Sequence, residues 1–274
     1  MHFAISVILG LLTAHLPLPP NLPTPPTSGY ARVDGVNIWY GSYGAGSPVI
    51  LLPGGKDSSD DWGFLVPELE RHGYRAIVID TRCQGRSGCS AELLGYDRFA
   101  RDVIGVMDHL GVPRAAFVGF SDGAIVGLDI AMHYPTRVTR LFAHGASSNT
   151  AAAPLNAFAD PKGGARVDDV KAWKEALYRA ESPTPNGWPA LVTRTNTMWN
   201  TQPNFTRANF EAIRIPVWIV DGNHDEFVKR SDTDMMAHAI PGAHELILAD
   251  SDHFALWEHP ALFDRAVLTF LGSR

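Results

Sequence analysis

Ser121, His253 and Asp225 are the residues whose types and order could do chemistry, and that chemistry is nucleophilic attack on a carbonyl. Ser121 stands in Gly119-Phe120-Ser121-Asp122-Gly123, a G-x-S-x-G pentapeptide closing an apolar run of strand character. Helical periodicity resumes at once over residues 124–131. A sharp strand-to-helix turn of this kind, the nucleophile elbow, lifts a serine hydroxyl above the edge of a sheet. A side chain at either glycine would collide with the flanking strand and helix. The serine's backbone is expected to be strained and to sit at a helix N-terminus, where partial positive charge favours a developing anion. On the pentapeptide alone, an ordinary turn with Ser121 as a helix cap stays open.

A hydroxyl is a weak nucleophile until an imidazole can take its proton. The chain order that accompanies this turn is nucleophile, acid, histidine. Asp225 lies in Asp221-Gly222-Asn223-His224-Asp225-Glu226, after the apolar run 216–220, and His253 lies in Ala249-Asp250-Ser251-Asp252-His253-Phe254, after the run 244–248. Asp221 competes with Asp225, and Asp250 and Asp252 flank the histidine. His244 begins a strand and His259 precedes Pro260 at a helix start, so neither is placed to reach Ser121. Two backbone N–H groups are expected to form the oxyanion hole, that of Asp122 and that of Gly55 in Pro53-Gly54-Gly55-Lys56. The glycines there do not make a phosphate loop, because the G-x-x-x-x-G-K-[ST] spacing is absent.

These residues need a sheet whose strand ends share one edge. Asp34-Gly35 between residues 30–33 and 36–40 predicts a hairpin. Continuous apolar runs at 48–52, 74–80, 115–118, 138–143 and 216–220 predict strands covered on both faces. Helical spacing predicts helices at about 61–71, 96–110, 231–239 and 261–271. The alternation implies an α/β fold, a mostly parallel sheet with helices on both faces. The pattern breaks between Gly145 and Arg214, where small residues, an amphipathic stretch near 167–180 and scattered aromatics occur. A structureless loop of that length is improbable, so a helical cap is expected over 146–214, inserted in a core of 29–145 and 215–274. Met198 and Trp199 either line an apolar pocket there or pack the insertion's own core, and the same alternatives hold for Trp62.

Within 274 residues, 45% hydrophobic and 19% charged content describes an ordinary globular chain with a large core. A net charge of −6, with no Lys/Arg cluster, argues against a nucleic-acid partner. No zinc-ligand spacing occurs, and the chemistry needs neither metal nor cofactor. Residues 1–28 combine an apolar run, Phe3 to Ala14, with a tract holding six prolines from Pro17 to Ser28. They are read as an export signal followed by an extended linker, too short for a stable membrane span, although the first residues carry no Lys or Arg. The alternative is a leader that packs on the domain of a cytoplasmic protein. Cys83 and Cys89 are read as free thiols, with a small ring between them the alternative in an exported chain.

With these residues in view, the chain from about Tyr30 onward resembles the α/β-hydrolase-fold serine hydrolases. Leu51-Leu52-Pro53-Gly54-Gly55 resembles their oxyanion loop, with Pro53-Gly54 where His-Gly is usual. The stretch Asp80-Thr81-Arg82-Cys83-Gln84-Gly85-Arg86-Ser87 resembles their post-strand loop, with Cys83 where glycine is common. Ser-Asp-Gly at the elbow and the later Asp-Gly-Asn-His-Asp-Glu are similar to the biphenyl-hydrolase-like subgroup that includes valacyclovir hydrolase. The resemblance implies hydrolysis of small carboxylic esters through an acyl-enzyme. It also implies an ammonium-binding role for Asp122, whose plainer reading is an acid in a helix's first turn. Amide, lactone, carbon–carbon or peracid chemistry from the same three residues, or a binding protein on this fold, are the alternatives. Dehalogenase and epoxide-hydrolase chemistry calls for a carboxylate where Ser121 stands.

Overall fold

A computed structural model describes residues 17–152 and 165–273. The Asp34-Gly35 turn, both residues at positive φ, joins β1 (Thr27–Val33) and β2 (Val36–Tyr43) as an antiparallel hairpin. Next come β3 (Ser47–Leu52), α1 (Leu65–Arg71), β4 (Tyr74–Ile79) and α2 (Tyr96–His109). The elbow strand β5 (Ala115–Phe120) leads into α3 (Asp122–His133) and then β6 (Val138–His144). Three helices follow before the sheet resumes: α4 (Ala165–Glu181), α5 (Trp188–Trp199) and α6 (Arg207–Glu211). The chain ends in β7 (Val217–Gly222), α7 (Arg230–Ala239), β8 (His244–Leu248), α8 (Ala255–Glu258) and α9 (Pro260–Gly272).

These strands form one sheet in the order β1-β2-β4-β3-β5-β6-β7-β8, antiparallel at β1/β2 and β2/β4 and parallel from there on. This is the α/β-hydrolase fold. Both faces of the parallel strands are apolar, which explains their unbroken hydrophobic runs. The two-residue alternation of side chains divides each strand between two cores. Ile50 and Leu52 of β3 and Phe117 of β5 pack on one side with α2 and α3. Val49, Leu51, Val118 and Phe120 pack on the other with α1 and α9.

Three expectations change. The first helix begins at Leu65, because residues 59–62 form a separate 3-10 turn capped by Ser58 and closed at Gly63. The proline tract has no regular secondary structure and is mostly exposed, yet it is tied to the core at two points. Leu22 donates its N–H to Asp60 (2.9 Å), and Pro23 accepts from Tyr43 (2.7 Å). Cys83 and Cys89 are not free thiols but a disulfide, with Cα atoms 4.3 Å apart. The loop after β4 folds back through Cys83 N–H to Gly88 C=O (2.9 Å), which brings the pair together. The apolar run at Phe3–Ala14 lies outside the described residues, as do residues 153–164 at the start of the insertion. Among the described residues no helix is long and apolar enough to cross a membrane.

Candidate active site

β5 ends at the carboxyl edge of the sheet, and the turn after it holds Ser121 at φ 52°, ψ −119°, a region an L-residue occupies only under strain. Its N–H donates to His144 C=O (2.8 Å), which ties the elbow to the neighbouring strand. The turn fits because its glycines leave space. A Cβ at Gly123 would lie 2.1 Å from Leu52 O, and one at Gly119 would lie 2.5 Å from Gly123 O. From the loop after β8, His253 brings Nε2 to 3.0 Å from Ser121 Oγ. From the loop after β7, Asp225 brings Oδ2 to 2.6 Å from His253 Nδ1. The geometry fixes the tautomer: Nδ1–H donates to Asp225, and Nε2 is left to accept the serine proton.

Asp225 rather than Asp221 orients the histidine. Its Oδ1 accepts the N–H groups of Phe227 (2.7 Å) and Val228 (2.8 Å), which locks the carboxylate in its loop. Asp221 instead accepts from Thr233 Oγ1 of α7 (2.7 Å) and from Gly222 N–H (3.0 Å), and its side chain hydrogen-bonds that of Asp225. Burial pushes the Asp225 carboxyl up to about 6 and holds His253 below the usual imidazole value. The His253 shift favours a neutral, proton-accepting imidazole at neutral pH, where Asp225 is still mostly ionised and can accept its Nδ1–H. His144, at the end of β6, was not singled out in the sequence. Fully buried and stacked 5.6 Å from Phe120, it donates from Nε2 to His253 C=O (3.1 Å) and so supports the histidine loop. Burial drives it down to about 3, so it stays neutral.

The loop after β3 is the one expected to hold the second oxyanion donor. Gly54 N–H is committed to Asp61 Oδ2 (3.0 Å). Among the described residues neither Gly55 N–H nor Asp122 N–H has a hydrogen-bond acceptor, which leaves both for a developing oxyanion. A Cβ at Gly55 would meet Asp122 Oδ2 and Trp199 Cζ2, each at 2.5 Å, so only glycine lets this loop close on the elbow.

The insertion roofs a cavity of about 580 Å³ that reaches Ser121 and His253. Its two adjacent candidates part company. Trp199 lines the cavity, whereas Met198 is 2% exposed in the core beside Leu191 and Tyr178. Trp62 is buried against Phe263 and is not among the residues that line the cavity. Asp122 also lines the cavity, but its carboxylate is already held. Oδ1 accepts from Tyr96 Oη (2.8 Å) and Trp199 Nε1 (2.9 Å), and Oδ2 lies 3.0 Å from the same indole nitrogen.

Two charged side chains of α4 fasten the roof to the core. Lys174 Nζ donates to Asp57 Oδ2 (2.7 Å) and to the Gly55 carbonyl (3.3 Å), directly behind the oxyanion loop. Glu181 meets Arg86, which also pairs with Asp60 (2.8 Å) and Asp80 (3.2 Å). Asp57 and Asp61 are both raised, Asp61 well above the carboxylate range, by burial first.

A parallel sheet carrying a strained serine, an imidazole and an orienting carboxylate on its carboxyl edge, under a helical roof, defines a class of hydrolases. The chain belongs to the alpha/beta hydrolase family, whose profile matches residues 49–266. It is 30% identical over 128 residues to the bifunctional epoxide hydrolase 2 of Mus musculus, a match covering 46% of this chain and 23% of that protein. It thus spans about a quarter of the length of that relative. It is 26% identical over 269 residues to a 2-hydroxy-6-oxononadienedioate/2-hydroxy-6-oxononatrienedioate hydrolase of Paraburkholderia phymatum, covering 87% of this chain and 92% of that protein. Est816, described as an N-acyl homoserine lactone degrading enzyme, shares the fold with a TM-score of 0.72. The two are 24% identical over 88% of this chain and 99% of the other.

Proposed function

We propose that this hydrolase cleaves small carboxylic esters through an acyl-enzyme on Ser121. His253 takes the serine proton as Oγ attacks the carbonyl carbon, and the N–H groups of Gly55 and Asp122 hold the resulting oxyanion. The protonated imidazole then gives its proton to the leaving alcohol. Water attacks the acyl-enzyme by the same route in reverse, releasing the acid and restoring Ser121. Asp225 keeps the imidazole in the accepting tautomer and balances its transient charge. The observation that carries the reading is the unbroken chain Ser121 Oγ to His253 (3.0 Å) to Asp225 (2.6 Å). Opening of an epoxide by a carboxylate nucleophile is disfavoured by the hydroxyl at the elbow. Lactones need no different machinery, because a lactone is an ester whose alcohol stays attached to the acyl group.

The test is Ser121→Ala. Turnover of p-nitrophenyl esters and labelling by a fluorophosphonate should both vanish while the circular dichroism spectrum is kept. Labelling that survives the substitution would refute the assignment. Export is part of the proposal: a disulfide between Cys83 and Cys89 supports an oxidising compartment. Amino-terminal sequencing of protein from its native host tests it, and an intact Met1 on protein from the cytosol would count against it.

A further inference from the structure

We infer that the cavity recognises a carboxylate carried by the substrate itself, with Lys56 as the residue that binds it. This deepens the ester-hydrolase reading and rests on it. Lys56 follows Gly55, whose N–H faces the oxyanion position, so its ammonium belongs to the same wall as the scissile carbonyl. The ammonium lies 4.1 Å from the centroid of the Trp199 ring, and its hydrogen bond is a long one, 3.4 Å to Asn196 Oδ1. Among the described residues it enters no ion pair.

The charged groups around Lys56 are Lys174 and Lys171 from α4, Asp57 from its own loop and Asp122 from the elbow. Lys174 is committed to Asp57 (2.7 Å), and Lys171 lies 3.6 Å from Asp168 on its own helix. The Asp122 carboxylate receives Tyr96 and Trp199. Trp199 therefore separates Asp122, on its N–H edge, from Lys56, on its π face, and the two charges make no direct contact. Burial, and next the repulsion of Lys174, push the Lys56 ammonium down to about 8. A half-buried cation held by a ring face and one amide is short of an anion. A ligand carboxylate would supply it, with two oxygens to match the donors of a lysine and the Asn196 amide.

The matching substrate class is an ester or lactone with a free carboxylate a few atoms from the scissile carbonyl, such as the half-ester of a short dicarboxylic acid. The ammonium role of Asp122 is the opposite reading, since an ammonium ligand would have to share its carboxylate with an indole and a phenol beside an existing cation.

Three p-nitrophenyl esters of matched length test it: mono-p-nitrophenyl glutarate, p-nitrophenyl pentanoate and p-nitrophenyl 4-(trimethylammonio)butanoate. The expected result is a kcat/KM ratio of glutarate to pentanoate above about 10, in line with one charge-assisted hydrogen bond. That ratio should collapse toward one in Lys56→Met and survive in Lys56→Arg. A preference for the cationic ester, or a ratio that Lys56→Met leaves unchanged, overturns the inference. A second readout is independent of turnover. In Ser121→Ala, glutarate should raise the melting temperature, and the added Lys56→Met change should abolish the shift. A shift without hydrolysis of any ester would sink the ester-hydrolase reading and keep the anion site. Hydrolysis of all three esters with no charge preference and no shift would do the reverse.

Discussion

Replacing Lys174 with methionine should cost stability and rate together, because one ammonium holds both the roof and the oxyanion loop. The Asp57 side chain is fully buried and that of Lys174 is 13% exposed, at an N–O distance of 2.7 Å. Removing one partner of a buried pair typically costs about 3–5 kcal/mol, since the other charge is left unmatched. Asp57 has an escape, which is to take up a proton. Burial already raises its carboxyl above 3.8, and Lys174 is the largest influence holding it down. Without the lysine, the folded-state value moves further above the unfolded one. Stability from such a group is complete below the unfolded value and is lost as pH rises through the folded one. The loss in Lys174→Met should therefore be smallest at acid pH and grow as pH rises through the Asp57 folded-state values of parent and variant. The double change Lys174→Met with Asp57→Asn should recover most of it, because no charge is then stranded. Urea unfolding across that pH range measures the effect, and kcat should fall as the Gly55 carbonyl loses its anchor. A single variant within about 0.5 kcal/mol of the parent, or a loss that ignores pH, would refute the reasoning, since exposed pairs behave that way.

Three other outcomes follow from the site. The base must be neutral to act, and His253 titrates below its usual 6.5 with Asp225 near 6 beside it. The kcat/KM profile should then be flat through neutrality and fall only on the acid side of 6.5, whereas an acid limb centred above 7 would contradict the burial argument. Gly55→Ala should displace the loop from Asp122 and Trp199 and lower kcat by about 100- to 1000-fold, the usual cost of an oxyanion donor; a change under about fivefold would assign that donor elsewhere. Cys83→Ser with Cys89→Ser should lower stability by about 2 kcal/mol for so small a ring, read from urea unfolding, and unchanged stability would mean the ring constrains nothing.

The convergence of Ser121, His253 and Asp225 was legible because each lies in a loop after a plainly apolar strand and because the sharp turn at Ser121 demands glycine on both sides. The central parallel strands were legible for the same reason, being covered on both faces. The Lys174–Asp57 link was not, since it joins residues 117 apart and depends on how the insertion settles, which no periodicity encodes. Met198 and Trp199 are neighbours on one helix, about 100° apart around its axis, and composition cannot say which of them faces the cavity. His144 left a faint signal, a polar residue ending an apolar strand, and its buried neutrality depends on Phe120 and the histidine loop. The disulfide hinged on a fold-back of the loop after β4, where sequence spacing allowed either state.

Mass spectrometry of protein quenched early in the hydrolysis of a p-nitrophenyl ester puts the central claim to its most direct test. An acyl group should be found on the peptide containing Ser121, in an amount matching an initial burst of p-nitrophenol, and it should be absent from Ser121→Ala. Steady turnover with no acylated peptide, or acylation at a different residue, would contradict the account.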